Sequence, residues 1–138
     1  MNELSTTLPA PMPQINPETR PFWEGCAQGK LLLKRCEDCS EVHYYPRAIC
    51  PFCMSDRTIW FESTGQGSIY TFTITRRAGG DYAKAAPFVL AYVTLDEGPT
   101  MLSNIVTPNP EALAIGQRVK VVFHPAGDGA ALPRFEPG

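Results

Sequence analysis

The 138-residue chain has no long apolar run. A membrane-spanning helix needs roughly 20 consecutive apolar residues, and no stretch of this sequence comes near that length. Residues 1–13 are polar and punctuated by proline, unlike the charged and then apolar pattern of a signal peptide. The sequence therefore predicts a cytoplasmic protein that makes no contact with a membrane.

A surplus of positive charge is also missing. Twelve basic residues stand against 14 acidic ones, which gives a formal net charge of −2. Proteins dedicated to nucleic acid usually carry a basic surplus, because phosphate contacts supply most of their affinity. Nucleic acid is therefore not the partner that the composition favours.

Patterns for independent catalysis are absent. The two histidines, His43 and His124, are not accompanied by a serine or cysteine motif that would form a nucleophile and its base. The only paired glycines in a loop, Gly79 and Gly80, are too few for a phosphate-binding loop. The sequence thus predicts no catalytic residue, and any enzyme activity would belong to a complex that contains this chain.

Clustered cysteines are the strongest signal present. Cys36 and Cys39 form one Cys-x-x-Cys pair, and Cys50 and Cys53 form a second pair ten residues later. Two such pairs brought together by a hairpin place four thiolates around one structural zinc ion. A thioredoxin-like redox pair is the rival interpretation, although no βαβ pattern surrounds the cysteines. Iron in a rubredoxin-like site is the other alternative, because thiolates alone do not distinguish the two metals.

The remaining pattern predicts a mainly β protein in three consecutive parts. Fourteen prolines and 11 glycines favour short strands and turns over long helices. We expect a proline-rich leader and N-terminal helix over 1–29, a zinc ribbon over 30–62 and a five-stranded OB-fold barrel over 63–138. Alternation along the first barrel strand places Tyr70 and Phe72 on the apolar face, which we expect to point into the barrel core.

Several motifs, in this order and spacing, resemble one known family. They are residues 22–25, 29–33, the two cysteine pairs, and residues 65–73, 95–99, 115–119 and 132–135. The chain is similar over about residues 16–137 to the acyl-CoA-associated family in which a rubredoxin-like zinc ribbon precedes an OB-fold, long catalogued as a domain of unknown function.

The resemblance implies a function. Members of the family often accompany thiolase-like subunits, or acyl-CoA hydratases and aldolases, in lipid, sterol and aromatic-acid metabolism. It thus implies a non-catalytic accessory subunit with structural zinc, a thiolase-like or related acyl-CoA enzyme as partner, and CoA or acyl-CoA as a candidate ligand. A homodimer stays open. The alternative is a module that binds single-stranded nucleic acid, because zinc ribbons and OB barrels also occur there.

Basic residues near the ribbon and at one strand end are candidates for the phosphates of CoA. They are Arg76 and Arg77, together with Lys34 or Arg35. Arginine suits this role because its guanidinium binds phosphate with two parallel hydrogen bonds. The alternative is a set of solvated surface charges that contribute little.

Aromatic side chains in or beside the ribbon are candidate anchors for a partner. They are Phe22, Trp23, Tyr45 and Phe52. Aromatic residues dominate the buried centres of protein interfaces, which motivates the prediction. For Phe22 and Trp23 the alternative is a structural one, in which they pack the helix onto the ribbon.

Overall fold

The computed structural model describes residues 8–138, so the first seven residues of the predicted leader lie outside the described residues. It contains one short helix, a three-stranded sheet and a closed five-stranded barrel. The predicted mainly β fold class is therefore confirmed. In chain order the elements are α1 (Arg20–Ala27), β1 (Leu32–Cys36), β2 (Val42–His43), β3 (Thr58–Glu62), β4 (Gln66–Thr75), β5 (Phe88–Leu95), β6 (Thr100–Ile105), β7 (Arg118–Pro125) and β8 (Ala131–Pro137), with 3-10 helices at Gly80–Ala85 and Pro110–Ala112.

Helix α1 has clear start and stop signals. The Thr19 amide donates to Asn16 Oδ1 at 3.0 Å in the turn before the helix. At the other end Gly29 has a φ of +78°, and its amide donates to the Cys26 carbonyl at 3.1 Å. The Lys30 amide donates to the Gly25 carbonyl at 2.8 Å, which completes a Schellman motif. No helix in residues 8–138 is long and apolar enough to cross a membrane.

The ribbon is an antiparallel sheet in the order β2–β1–β3. The central strand β1 ends at Cys36, so it leads directly into the first cysteine pair. Lys34 lies opposite His43 on one side and Trp60 on the other. This register fixes which side chains surround the base of the metal centre.

The barrel closes in the order β4–β5–β6–β8–β7. All neighbouring strands are antiparallel except β6 and β8, which are parallel. Its interior is filled by apolar side chains that are at most 2% exposed, including Ile69, Val89, Val93, Met101 and Phe135. Interior packing of this kind leaves the outer faces of the strands as the surfaces available for binding.

A β-bulge in β4 changes the face on which one aromatic residue lies. Ile69 is opposite Val93, whereas Thr71 is opposite Tyr92, so Tyr70 is the extra residue in the strand. Ile69 is 1% exposed and Tyr70 is 66% exposed. The prediction that Tyr70 faces the core is therefore wrong, because the bulge shifts the alternation by one residue. Phe72, beyond the bulge, packs against the core as predicted.

The ribbon and the barrel share one hydrophobic core. Phe22, Leu31 and Leu33 belong to the same cluster of buried side chains as the barrel interior. The linker between the two parts is held by Glu97, in the turn between β5 and β6. Its carboxylate accepts a hydrogen bond from Ser63 Oγ at 2.8 Å and from the Thr64 amide at 2.9 Å. These contacts fix the orientation of the metal centre relative to the barrel.

Candidate metal centre and the surface around it

The four predicted ligands converge on one point. The Sγ atoms of Cys36, Cys39, Cys50 and Cys53 all lie within 4.8 Å of one another. The Cys36 and Cys53 sulfurs are 3.5 Å apart, and those of Cys39 and Cys50 are 3.7 Å apart. A tetrahedral zinc site with Zn–S bonds of about 2.3 Å has sulfur–sulfur edges of about 3.8 Å. The arrangement fits zinc held by four thiolates.

Each cysteine pair forms a knuckle, a tight turn whose backbone amides point at sulfur. The Asp38 amide donates to Cys36 Sγ at 3.3 Å, and the Phe52 amide donates to Cys50 Sγ at 3.4 Å. Amides of Cys39 and then Asp38 that face the Cys36 sulfur lower the pKa of this thiol to about 7. Hydrogen bonds to the charged form favour the thiolate, which is the form that binds metal.

The chemistry of such a centre is structural. Four protein thiolates fill a tetrahedral zinc, which leaves no open position for water or substrate. What the metal supplies when bound is folding energy for the two knuckles and a fixed geometry at their tips. The side chains at the tips of the two knuckles, which the metal holds in place, therefore form the binding surface of the ribbon.

The two knuckles have different surfaces. In the first knuckle, Asp38 pairs with Arg57 and accepts a hydrogen bond from Ser55. These polar groups satisfy one another and remain partly solvated. In the second knuckle, Phe52 is 62% exposed and Met54 is 75% exposed. The second knuckle therefore presents a rigid apolar tip to solvent.

Three of the four predicted partner anchors are wholly or partly buried. Phe22 has no exposed surface and packs edge-on against Trp23, with ring centroids 4.9 Å apart. It is thus a core residue that joins the helix to the ribbon and barrel. The structural alternative for Phe22 therefore holds, and its prediction as a surface anchor for a partner is wrong. Trp23 and Tyr45 are half-buried, and Trp23 Nε1 donates to the Tyr45 hydroxyl at 3.2 Å. Only Phe52 of the four is mostly exposed.

Lys34 is not on the surface where a CoA phosphate would reach it. The residue is 8% exposed, and its Nζ lies 4.8 Å from the centroid of the Trp60 ring. The ammonium also donates to the Arg47 carbonyl at 3.4 Å. Burial lowers the pKa of Lys34. The prediction of Lys34 as a phosphate contact is corrected, because its ammonium is already occupied in the interior.

The other predicted phosphate contacts do not form one cluster. Arg35 is exposed and lies over the Phe61 ring at 5.4 Å. Strand β4 starts just after the ribbon, and Arg76 and Arg77 follow its other end. A strand of ten residues extends about 30 Å, so these two arginines lie far along the chain path from Arg35. Arg76 pairs with Glu111 at 2.6 Å. Exposed pairs of this kind contribute little to stability.

A cleft separates the second knuckle from the turn between β5 and β6. It has a volume of about 280 Å³, and its walls include Phe52, Glu41 and Thr100. His43 lines the same cleft and is 4% exposed, with a pKa lowered by its burial. Nothing in the sequence predicts this cleft, because no local pattern signals that the ribbon packs beside this turn.

A buried cation lies between the last two strands. Arg134 is 4% exposed, and its Nη1 lies 3.0 Å from His124 Nδ1. Its Nη2 donates to the Pro9 carbonyl, which attaches the leader to the barrel. Burial, and then the charge of Arg134, lower the pKa of His124. No local pattern in the sequence predicts these contacts: the His124 contact depends on the pairing of β7 with β8, and the Pro9 contact joins positions 125 residues apart.

The fold and the four-thiolate centre define a class of protein with a zinc ribbon and an OB-fold. Residues 23–58 match the family model of the rubredoxin-like zinc ribbon domain of ChsH2. Residues 60–124 match the model of the C-terminal OB-fold domain of ChsH2. Together with a DUF35 relative that is 38% identical, these matches show that the chain belongs to the DUF35 family of zinc-ribbon and OB-fold proteins, which confirms the resemblance.

Relatives show how this unit is used elsewhere. A DUF35 domain-containing scaffold protein of Methanocaldococcus jannaschii is 38% identical over 96 residues, 67% of each chain. A probable enoyl-CoA hydratase alpha subunit of Thermomonospora curvata is 30% identical over 92% of this chain, which spans 40% of that subunit. One chain of the Ltp2-ChsH2(DUF35) aldolase superposes with a TM-score of 0.80 and 29% identity, covering 91% of this chain and 98% of that one.

Proposed function

We propose that this protein is a non-catalytic accessory subunit of an acyl-CoA enzyme. The observation that carries the proposal is the similarity, over nearly the whole length of both chains, to one chain of the Ltp2-ChsH2(DUF35) aldolase. A relative described as a probable hydratase alpha subunit and one described as a scaffold support the same role. In this role the partner supplies the catalytic residues and the zinc ribbon supplies a rigid support.

The class of partner follows from the same relatives. A hydratase or an aldolase has direct support from their descriptions, whereas a thiolase-like partner rests on the family resemblance alone. The complex would work in acyl-CoA, lipid or aromatic-acid metabolism, and we place it in the cytoplasm. The alternative of a single-stranded nucleic-acid module has less support, since the chain lacks a basic surplus.

Direct binding of CoA is a finer part of the proposal. Arg77 and Arg35 are exposed, so their guanidinium groups are accessible to the phosphates of CoA. Arg76 would have to break its ion pair with Glu111 to bind a phosphate. Calorimetry with CoA, comparing the chain with an Arg76→Ala, Arg77→Ala double variant, tests this assignment. Lost affinity supports these residues, and unchanged affinity removes them from the site.

Co-purification tests the accessory role itself. The tagged chain is expressed in its source organism, and the proteins that it retains are identified by mass spectrometry. We expect a hydratase, aldolase or thiolase-like subunit at near-equal stoichiometry. The matched control is the Cys50→Ser variant, which should lose the metal and with it the partner. Recovery of no acyl-CoA enzyme by the metal-loaded chain would contradict the proposal.

A further inference from the structure

Exposed apolar side chains concentrate on two neighbouring parts of the molecule. One is the tip of the second knuckle, with Phe52 and Met54 at 62% and 75% exposure. The other is the outer face of the barrel, where Tyr70, Tyr92 and Leu102 are 66%, 46% and 53% exposed. Isolated exposed apolar residues are normal, whereas a contiguous apolar patch of a few hundred Å² often marks an interaction site.

Strand register shows that the cleft joins these two parts. Tyr92 and Leu102 are directly opposite each other on β5 and β6. The next outward-facing pair towards the turn is Thr94 and Thr100, whose hydroxyls are 3.0 Å apart. Two residues along a strand span about 6.6 Å, and Thr100 lines the cleft together with Phe52. The knuckle tip, the cleft and this barrel face therefore form one continuous area, which we call the docking surface.

The docking surface is comparable in size to the largest apolar patch of a typical monomer, which is often a functional one. If a whole aromatic side chain buries about 200 Å², the exposed fractions of Phe52, Tyr70 and Tyr92 leave on the order of 350 Å² of aromatic surface open to water. The largest apolar patch on a typical monomer is about 300–600 Å² and is often functional. The two ends are held rigidly, one by the metal and the other by the barrel, so little ordering is needed on binding.

Charge in the cleft indicates what would bind there. Glu41 and Glu97 line it, and none of its lining residues is a lysine or arginine. Glu97 already accepts hydrogen bonds from Ser63 and Thr64. Glu41 is exposed and forms no ion pair with any residue in 8–138. A complementary segment would bring apolar side chains to the docking surface and a cation to Glu41.

We propose that the docking surface binds a segment of the enzyme subunit that presents apolar side chains beside a lysine or arginine. An apolar side chain of that segment enters the cleft between Phe52 and Thr100, and the cation pairs with Glu41. The identity of the partner rests on the proposed function, whereas the location of the surface rests on the exposure, register and charge of this chain.

Photo-crosslinking in cells tests the location and the occupant together. The full chain is made with p-benzoylphenylalanine in place of Phe52, of Leu102 or, as a matched control, of Ile115, which is 69% exposed and does not line the cleft. Crosslinked products are identified by mass spectrometry. We expect Phe52 and Leu102 to capture the same acyl-CoA enzyme, at an apolar peptide that contains or adjoins a lysine or arginine, and Ile115 to capture none.

Affinity measurements with that enzyme give the energetic test. Phe52→Ser and Leu102→Ser should each weaken binding by about fivefold or more, because truncating an apolar anchor in a buried interface centre costs more than about 1 kcal/mol. Glu41→Lys should weaken binding through like-charge repulsion, while Ile115→Ser and Glu24→Lys should leave the affinity unchanged. Zinc content and circular dichroism confirm that each variant is folded.

The outcomes separate the two proposals. Crosslinks from Phe52 and Leu102 to a protein that is not an acyl-CoA enzyme support the docking surface and refute the proposed function. Co-purification of an acyl-CoA enzyme without crosslinks at these positions, or with unchanged affinity of the serine variants, refutes the docking surface alone. Crosslinks only to a second copy of this chain also overturn the proposed occupant.

Discussion

Replacing Phe22 by alanine tests whether the helix, the ribbon and the barrel form one cooperative unit. Phe22 is completely buried, and its ring contacts those of Trp23, Tyr44 and Tyr45 at centroid distances of 4.9 to 5.8 Å. Truncation removes on the order of 150 Å² of buried apolar surface, or about 4 kcal/mol at 25 cal/mol per Å². The measured range for Phe→Ala changes in cores, about 3–5 kcal/mol, agrees with this value.

The assay is equilibrium unfolding in urea, followed both by tryptophan fluorescence and by circular dichroism. Fluorescence reports on Trp23 and Trp60 in the helix and ribbon, whereas circular dichroism reports mainly on the barrel strands. We expect both signals to shift together to lower urea in Phe22→Ala. The control Ile115→Ala should change the free energy of unfolding by no more than about 0.5 kcal/mol. A loss below about 1 kcal/mol in Phe22→Ala, or separate transitions for the two signals, would refute the shared core.

Three further predictions concern the metal, pH and nucleic acid. Cys50→Ser should lose the bound zinc, measured by elemental analysis, and should lower the urea midpoint, since structural zinc contributes on the order of 10 kcal/mol to folding; full retention of metal would contradict the four-thiolate centre. Burial lowers the pKa of His124 below its ordinary 6.5, so the unfolded chain binds a proton that the folded chain does not. The contribution of His124 to the free energy of unfolding should therefore be constant above pH 6.5 and should fall below pH 6.5 by up to about 1.4 kcal/mol per pH unit. The His124→Gln variant should lose stability less steeply with falling pH. Identical pH profiles of the two proteins would count against a lowered pKa of His124. The fluorescence anisotropy of labelled single-stranded DNA should not change when this protein is added at micromolar concentration. A salt-dependent increase would instead favour the nucleic-acid alternative.

Much of the fold and all of the metal centre could be predicted from local patterns. The doubled Cys-x-x-Cys spacing determines which sulfurs converge, and the five barrel strands predicted after the ribbon are observed as a closed barrel. The failures come from information that is not local. The bulge at Tyr70 depends on pairing with β5, and the burial of Lys34 and Phe22 depends on how three parts of the chain pack together. A lysine stem and an aromatic ring fit either a core or a surface, so their sequence context does not decide between the two.

The docking surface illustrates the same limit. The position of Phe52 in the second knuckle predicts that it anchors a partner. Its neighbours across the cleft belong to a turn more than 40 residues away in the chain, which no local pattern signals. A pattern in the sequence signals a strand or a knuckle, whereas a binding surface is assembled from elements that the fold brings together. The knuckle tip and the outer barrel face become parts of one area only through the packing of the ribbon beside the turn between β5 and β6.

Reconstitution of the complex tests the accessory role most directly. The acyl-CoA enzyme subunit that co-purifies with this chain is prepared alone, and its activity is measured as the zinc-loaded chain is added. The account predicts that activity rises to a plateau at a fixed stoichiometric ratio and that this chain alone turns over no substrate. An enzyme that is fully active alone, and that forms no complex with this chain by size-exclusion chromatography at micromolar concentrations, would contradict it.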